Sequence, residues 1–312
     1  MALAALTLLA RCSGTTPTAP PPPAISVICP TNLSAQATQG QTTVTIAYPS
    51  PGVSGGKAPI STSCTPASGT SFGIGTTPVS CTVSDAALQS VACTFSVSVA
   101  APPLPRLSAT TFMAFGDSLT EGKVTFAGLP SLTFPPSYTN KLAALLQSRY
   151  SAQSVVLTAE GLGARTAVED VDRFDQALNT DRPQVVLLME GANDIAGGDA
   201  AIDPAINALG IMASHATARA IVVFLATLPP EKPPAPGAPI VSSLNAKIVS
   251  LAASRQLVLV DVNAAFHGDL TLIGPDGLHA TDAGYQVIAQ AFYDRIVARL
   301  ELPATASLLG PR

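Results

Sequence analysis

Charge is scarce in this sequence. Only 12% of its 312 residues are Asp, Glu, Lys or Arg, and the net charge is −4. That balance offers no broad basic surface, which argues against nucleic acid as a partner. Long apolar runs are also missing. None reaches the ~20 residues that a membrane-spanning helix needs, and the first, from Met1 to Arg11, is about half that. Ahead of that run no basic residue stands, although a secretory signal ordinarily opens with one. Cysteine stops early, with Cys93 the last of five, and histidine is limited to His215, His267 and His279. There is no Cys-x-x-Cys spacing and no His near the cysteines, so a zinc site is not expected.

What is present divides the chain into segments. Residues 1–12 read as an export signal. Within them Leu9-Ala10-Arg11-Cys12 resembles a bacterial lipobox, in which the cysteine becomes the lipidated first residue. Arg11 departs from that pattern, which wants a small residue there. The expectation is an exported protein held to the membrane only through Cys12; the alternative is a signal cut elsewhere, with Cys12 incidental. Residues 13–24 (SGTTPTAPPPPA) form a Pro/Thr linker of extended character. Setting Cys12 aside leaves Cys29, Cys64, Cys81 and Cys93, an even four within one short stretch, which suggests two disulfides in a small exported domain. Three connectivities are open; the expected one is Cys29–Cys93 with Cys64–Cys81.

Residues 25–100 read as all-β. Alternating runs such as 42–48, 79–83 and 94–99 are separated by turn chemistry, Pro49-Ser50-Pro51-Gly52 and Ser54-Gly55-Gly56 among it. The spacing suggests a small β-sandwich. Cys29-Pro30, Cys64-Thr65-Pro66-Ala67-Ser68-Gly69, Phe72-Gly73-Ile74-Gly75-Thr76-Thr77-Pro78-Val79-Ser80-Cys81 and Ala92-Cys93-Thr94-Phe95 resemble the hyalin-repeat (HYR) family of immunoglobulin-like modules. The resemblance implies an adhesion or spacer role, with a cell-surface or polymer ligand as a possible partner. No residue here has catalytic character.

A second linker spans 101–107, and residues 108–302 change pattern, leaving a tail at 303–312. Apolar runs at 111–115, 155–158, 185–189, 221–226 and 257–261 alternate with helix candidates near 137–149, 167–178, 203–217, 239–254 and 282–301. Five buried strands separated by helices predict a five-stranded parallel sheet covered on both faces.

The chemistry gathers at strand ends. Phe115-Gly116-Asp117-Ser118-Leu119 sets a serine just past the first strand, the edge of an open α/β sheet where ligands bind. Asp276-Gly277-Leu278-His279 lies in a Gly/Pro-containing loop before the last helix. A carboxylate there can fix one ring nitrogen of His279 and leave the other free as the base that a serine needs. Gly161 and Asn193 follow the second and third strands and could donate N–H groups to an oxyanion. Together Gly116-Asp117-Ser118-Leu119, Gly161, Gly191-Ala192-Asn193-Asp194 and Asp276-Gly277-Leu278-His279 resemble the four blocks of the GDSL/SGNH hydrolase family, from about 111 to 300.

That resemblance implies a three-layer α/β/α sandwich of flavodoxin type, Ser118 as nucleophile, His279 as base and Asp276 as its orienter. It further implies an oxyanion hole from Ser118, Gly161 and Asn193, and neither metal nor cofactor. One block departs from the family pattern: Ala159 replaces its Asn and Ala164 its second Gly, while Gly161 and Thr166 keep register. Asp117 is expected to cap the turn and Asp194 to fix the Asn193 loop, while Glu121 and Arg165 could face substrate. The function expected is hydrolysis of carboxylic esters, with an apolar insert at 124–137 and a proline-rich loop at 229–239 as rims for short acyl, aryl or lipid groups. The alternatives are a surface-tethered binding protein, or a carbohydrate O-deacetylase that the β-module targets to a glycan ester.

Overall fold

The computed structural model describes residues 20–122 and 137–303. Cys12, the start of the first linker, the insert at 123–136 and the tail from 304 lie outside the described residues. The chain divides into two compact units, with the boundary between Pro103 and Leu104.

Among the described residues of the first unit all eight elements are strands: β1 (Ser26–Ile28), β2 (Leu33–Gln36), β3 (Thr43–Ile46), β4 (Gly52–Ser54), β5 (Ser61–Thr65), β6 (Thr70–Gly73), β7 (Gly75–Ser84) and β8 (Ser90–Ala100). They form one four-stranded sheet, β2-β8-β7-β5, and two pairs, β1-β4 and β3-β6. Val79, Cys81 and Val83 of β7 and Phe95, Val97 and Val99 of β8 alternate with more exposed positions, and this period of two buries one face of the sheet. Tyr48 meets Phe95 edge to face at 5.0 Å inside that core. Cys64 lies opposite Cys81, and Cys81 opposite Cys93, across the three strands β5, β7 and β8. The disulfides join Cys64 to Cys81 and Cys29 to Cys93.

The second unit alternates strands and helices: β9 (Thr111–Gly116), α1 (Ser118–Glu121), α2 (Tyr138–Arg149), β10 (Val156–Gly161), α3 (Val171–Asp181), β11 (Val185–Met189), α4 (Ala192–Ile195), α5 (Ile202–Thr217), β12 (Val222–Ala226), α6 (Val241–Ser254), β13 (Val258–Val260), α7 (Val262–Ala265) and α8 (Asp282–Leu300). All five strands are parallel, in the order β10-β9-β11-β12-β13. The chain therefore steps from β9 to β10, then returns across β9 to β11. The carboxyl end of β9 lies at that reversal, where open α/β sheets bind ligands. Helices α2 and α8 pack together, as do α3, α5 and α6 in a row, covering the two faces. Every residue of β11 is buried, as a central strand covered on both faces must be. Tyr138 of α2 stacks on Phe292 of α8 at 5.2 Å, closing one layer over the sheet.

Among the described residues no helix is long and apolar enough to cross a membrane.

Candidate active site

The serine is delivered by a tight exit from β9. A Cβ on Gly116 would fall 2.1 Å from the Met189 carbonyl oxygen and 2.5 Å from Thr120 Oγ1, so only glycine lets the chain turn here. Asp117 is fully buried and accepts from the Leu119 N–H at 3.0 Å, capping α1. Burial and the negative charges of Asp194 and Asp170 push its carboxyl up to about 6, against the pull of the backbone N–H groups it faces. Ser118 is the first residue of α1, so its backbone N–H has no partner within the helix.

The histidine arrives from the far end of the chain. The loop of residues 273–280 is pinched shut by Gly274 N–H donating to the His279 carbonyl at 2.7 Å and Thr281 N–H donating to the Leu272 carbonyl at 2.8 Å. Gly277 at its tip has φ of 80°, and a Cβ there would sit 1.9 Å from the Lys232 carbonyl oxygen. Lys232 is a staple on this loop. Its N–H donates to the Gly277 carbonyl at 2.9 Å, and its Nζ donates to the carbonyls of Ile273 (2.7 Å) and Leu270 (2.9 Å).

The two ends meet at hydrogen-bond distance. Ser118 Oγ lies 2.8 Å from His279 Nε2, and His279 Nδ1 lies 2.6 Å from Asp276 Oδ2. Asp276 Oδ1 accepts from the Leu278 and His279 N–H groups at 3.1 and 3.0 Å. Burial raises the Asp276 carboxyl, but these donors outweigh it and hold the group below the usual carboxylate range. It therefore stays ionised against the ring, which fixes a proton on Nδ1 and leaves the Nε2 lone pair towards Ser118. Ser118 and His279 are both buried.

The other expected site residues sit as follows. Gly161 ends β10 opposite Gly116. A Cβ on Gly161 would fall 2.0 Å from the Glu121 nitrogen, so glycine here lets α1 lie against the strand. The N–H groups of Val156 and Leu162 donate to the carbonyls of Thr110, just before β9, and of Gly116, at 2.8 and 3.0 Å. Strand alternation therefore turns the Gly161 N–H away from the strand that carries Ser118. Beyond it Ala164 has a left-handed φ of 61°. Asn193 Nδ2 donates to the Arg165 carbonyl at 2.8 Å, so the amide contacts the loop just past Ala164 and keeps a second N–H. Asp194 accepts from the Ala167 N–H at 2.8 Å, tying α4 to that same loop. Neither residue offered for substrate contact is unengaged: Glu121 accepts from the Gly163 N–H at 2.7 Å, and Arg165 pairs with Asp170 at 2.8 Å.

Behind Ser118, His279 and Asp276 lie acidic groups that carry no signal in the sequence. Glu190, at the end of β11, is buried near Asp117 and Asp170, and desolvation lifts its carboxyl well above the ordinary value. Glu231, in the proline-rich loop, is lifted to about 7 by burial and by Asp117. Among the described residues no cluster of His, Cys, Asp and Glu is arranged to hold a metal ion.

A serine hydroxyl, an imidazole and a carboxylate in hydrogen-bonded series, at the reversal point of a parallel sheet, define a serine hydrolase of the three-layer α/β class. The family model for the GDSL-like lipase/acylhydrolase family matches residues 114–287, and the chain belongs to that family as a serine ester hydrolase. The HYR domain model matches residues 18–99. Among solved structures, an acetylxylan esterase from Geobacillus stearothermophilus is similar at 20% identity and a TM-score of 0.51, covering 61% of this chain and 95% of that one. An α/β hydrolase from the metagenome of Lake Arreo, Spain, is similar at 21% identity and a TM-score of 0.51, covering 60% and 95%. At such identities the likeness speaks for the fold. No protein with a curated description matches.

Proposed function

We propose that the protein is an exported serine esterase that uses Ser118, His279 and Asp276 as a triad. The observation that carries this reading is the unbroken series from Ser118 Oγ through the His279 ring to Asp276. Ser118 Oγ attacks the ester carbonyl carbon while its proton passes to His279 Nε2. The carbonyl electron pair moves onto the oxygen. As the tetrahedral species collapses, the C–O bond to the leaving alcohol breaks and Nε2 returns the proton to it. A water molecule then repeats the sequence on the acyl-enzyme: Nε2 takes its proton, and Ser118 Oγ recovers one as the acid departs. Asp276 steadies the imidazolium in both halves.

For the oxyanion we propose the Ser118 N–H and the second Asn193 amide N–H, each such donor being worth ~3–4 kcal/mol in comparable sites. A third donor comes from the loop of residues 161–164. The Gly161 N–H is the donor expected from the sequence, and the N–H groups of the left-handed turn at Ala164 are the alternative.

Export is supported by the two disulfides, which persist in oxidising compartments. Lipid anchoring at Cys12 remains part of the proposal. The substrates proposed are carboxylic esters of short acyl groups. The acetylxylan esterase neighbours add a second reading, an acetylated glycan ester with the HYR module as its targeting domain. The test is hydrolysis of p-nitrophenyl acetate, butyrate and decanoate, and of acetylated xylo-oligosaccharides, by the full chain beside Ser118→Ala. Turnover confined to the wild type supports the triad. Equal turnover by a folded Ser118→Ala variant overturns it.

A further inference from the structure

A half-buried ion pair, Arg173 with the fully buried Asp170, lies beside the proposed triad without touching it. Arg173 sits in the first turn of α3, and its guanidinium forks four ways. Nε donates to Asp170 Oδ2 at 2.9 Å, and Nη2 closes on the same oxygen. Nη1 donates to the Glu160 carbonyl at 2.9 Å, and Nη2 to the Gly116 carbonyl at 3.1 Å. The plane rests on Phe115, with Cζ 4.0 Å from the ring centroid.

The two carbonyls are the ones that matter for placing the chemistry. Gly116 ends β9 two residues before Ser118, and Glu160 stands one residue before Gly161 on the neighbouring strand. The Gly116 oxygen already accepts the Leu162 N–H at 3.0 Å, so Arg173 fills its second lone pair. Asp170, fully buried, also accepts Arg165 Nε at 2.8 Å, and the Arg165 carbonyl in turn takes the Asn193 amide. One acid thus links the last rung of two strands to the loop that holds Asn193.

We infer that Arg173 is a positioning residue of the esterase, clamping the carboxyl ends of β9 and β10 so that Ser118 and the 161–166 loop face one carbonyl carbon together. The inference rests on the proposed role of Ser118. A planar fork on a stacked ring fixes direction as well as charge, which the single point charge of lysine cannot do. Releasing either carbonyl lets Ser118 and the loop rotate relative to each other. A displacement of 1 Å at such a site costs about 100-fold in rate.

The experiment compares the full-length wild type with Arg173→Met, Arg173→Lys and, as a control, Arg149→Met. Arg149 makes a comparable bidentate pair with Glu301, next to the Leu107–Glu301 bridge at the entry end of the sheet. Each protein is titrated with a fluorophosphonate, and kcat is expressed per labelled serine. The expected result is a kcat lower by about 100-fold in Arg173→Met and at least tenfold in Arg173→Lys, with KM within about twofold. Arg149→Met should lose thermal stability yet keep kcat per labelled serine. A merely structural arginine would lower the labelled fraction and leave kcat per site unchanged. Wild-type kcat per labelled serine in Arg173→Lys overturns the inference, and that variant decides alone if Arg173→Met fails to fold, because it keeps a cation against Asp170. Failure of the wild type to label at Ser118 overturns the triad reading instead, and this inference with it.

Discussion

Replacing Asp276 by asparagine alters one hydrogen-bonding atom in the series and little else. Asp276 Oδ1 receives the Leu278 and His279 N–H groups, and the amide oxygen of an asparagine would keep both. The amide nitrogen then takes the place of Oδ2, 2.6 Å from His279 Nδ1. Two N–H donors cannot face each other at that distance, so the ring must carry its proton on Nε2 instead. An Nε2–H pointing at Ser118 Oγ cannot take the hydroxyl proton. The same tautomer error in a serine protease triad costs about 10⁴-fold in kcat, which corresponds to ~5 kcal/mol of barrier. We expect a loss of that order in Asp276→Asn, with KM almost unchanged and the chain still folded, because the Leu278 and His279 N–H groups keep their side-chain acceptor. The assay is ester turnover per mole of folded protein, with circular dichroism melting alongside. A fall of less than tenfold in a folded variant would refute the argument that Asp276 sets the tautomer.

Further outcomes follow from other parts of the structure. Gly277→Ala places a methyl 1.9 Å from the Lys232 carbonyl at a φ of 80°, so the loop between Asp276 and His279 must move; activity should fall by at least tenfold while the chain stays folded, and wild-type turnover would count against the staple. Breaking Cys29–Cys93 opens a loop of 64 residues and breaking Cys64–Cys81 one of 17; chain entropy sets these at about 4 and about 3 kcal/mol, so the first Cys-to-Ala pair should lower the melting temperature of the β-unit more than the second, and the reverse order would refute the loop argument. Asp117, Glu231 and Glu190 hold protons in the folded state that the unfolded chain has released by about pH 5. The folded state then binds more protons than the unfolded one, so stability should fall as pH rises from about 4.5 through about 7, with a slope of at most ~1.4 kcal/mol per pH unit for each group. Asp170 and Asp276 are lowered and act in the opposite sense under more acidic conditions, losing their contribution as pH falls. A melting temperature that climbs between pH 5 and 8, or a Glu231→Gln variant with an unaltered slope, would contradict this.

The sheet was legible because its strands announce themselves. Val185-Val186-Leu187-Leu188-Met189 is apolar without a break, and only a central parallel strand tolerates that over so short a run. Ser118, Asp276 and His279 were legible because each adjoins a strand end or helix start marked by Gly, Asp or Pro. The short helices α1, α4 and α7 were not, since four residues cannot display a period of 3.6. The supports were hidden for a different reason. Arg173 reaches a carbonyl 57 residues earlier, and Lys232 one 41 residues later. Backbone acceptors carry no residue signature, so a side chain that grips them looks like any surface cation. Glu190 reads as an ordinary polar residue at a strand end, and only the layers closing around it make it a buried acid. Gly161 could be read from its motif, but its close approach to α1, where a Cβ would meet the Glu121 nitrogen at 2.0 Å, could not.

The two partners of the Ser118–His279 hydrogen bond are 161 positions apart, and every strand of the sheet after β9 is made between them. Ser118 emerges with the first strand of that sheet; His279 emerges after the last. A chain that stops short of Asp276 carries Ser118 without the imidazole that lies 2.8 Å from its Oγ in the whole protein. On the proposed roles of these two residues, hydrolytic power is the last property that synthesis of this polypeptide completes. For the proposed triad, that order keeps an unfinished chain chemically silent.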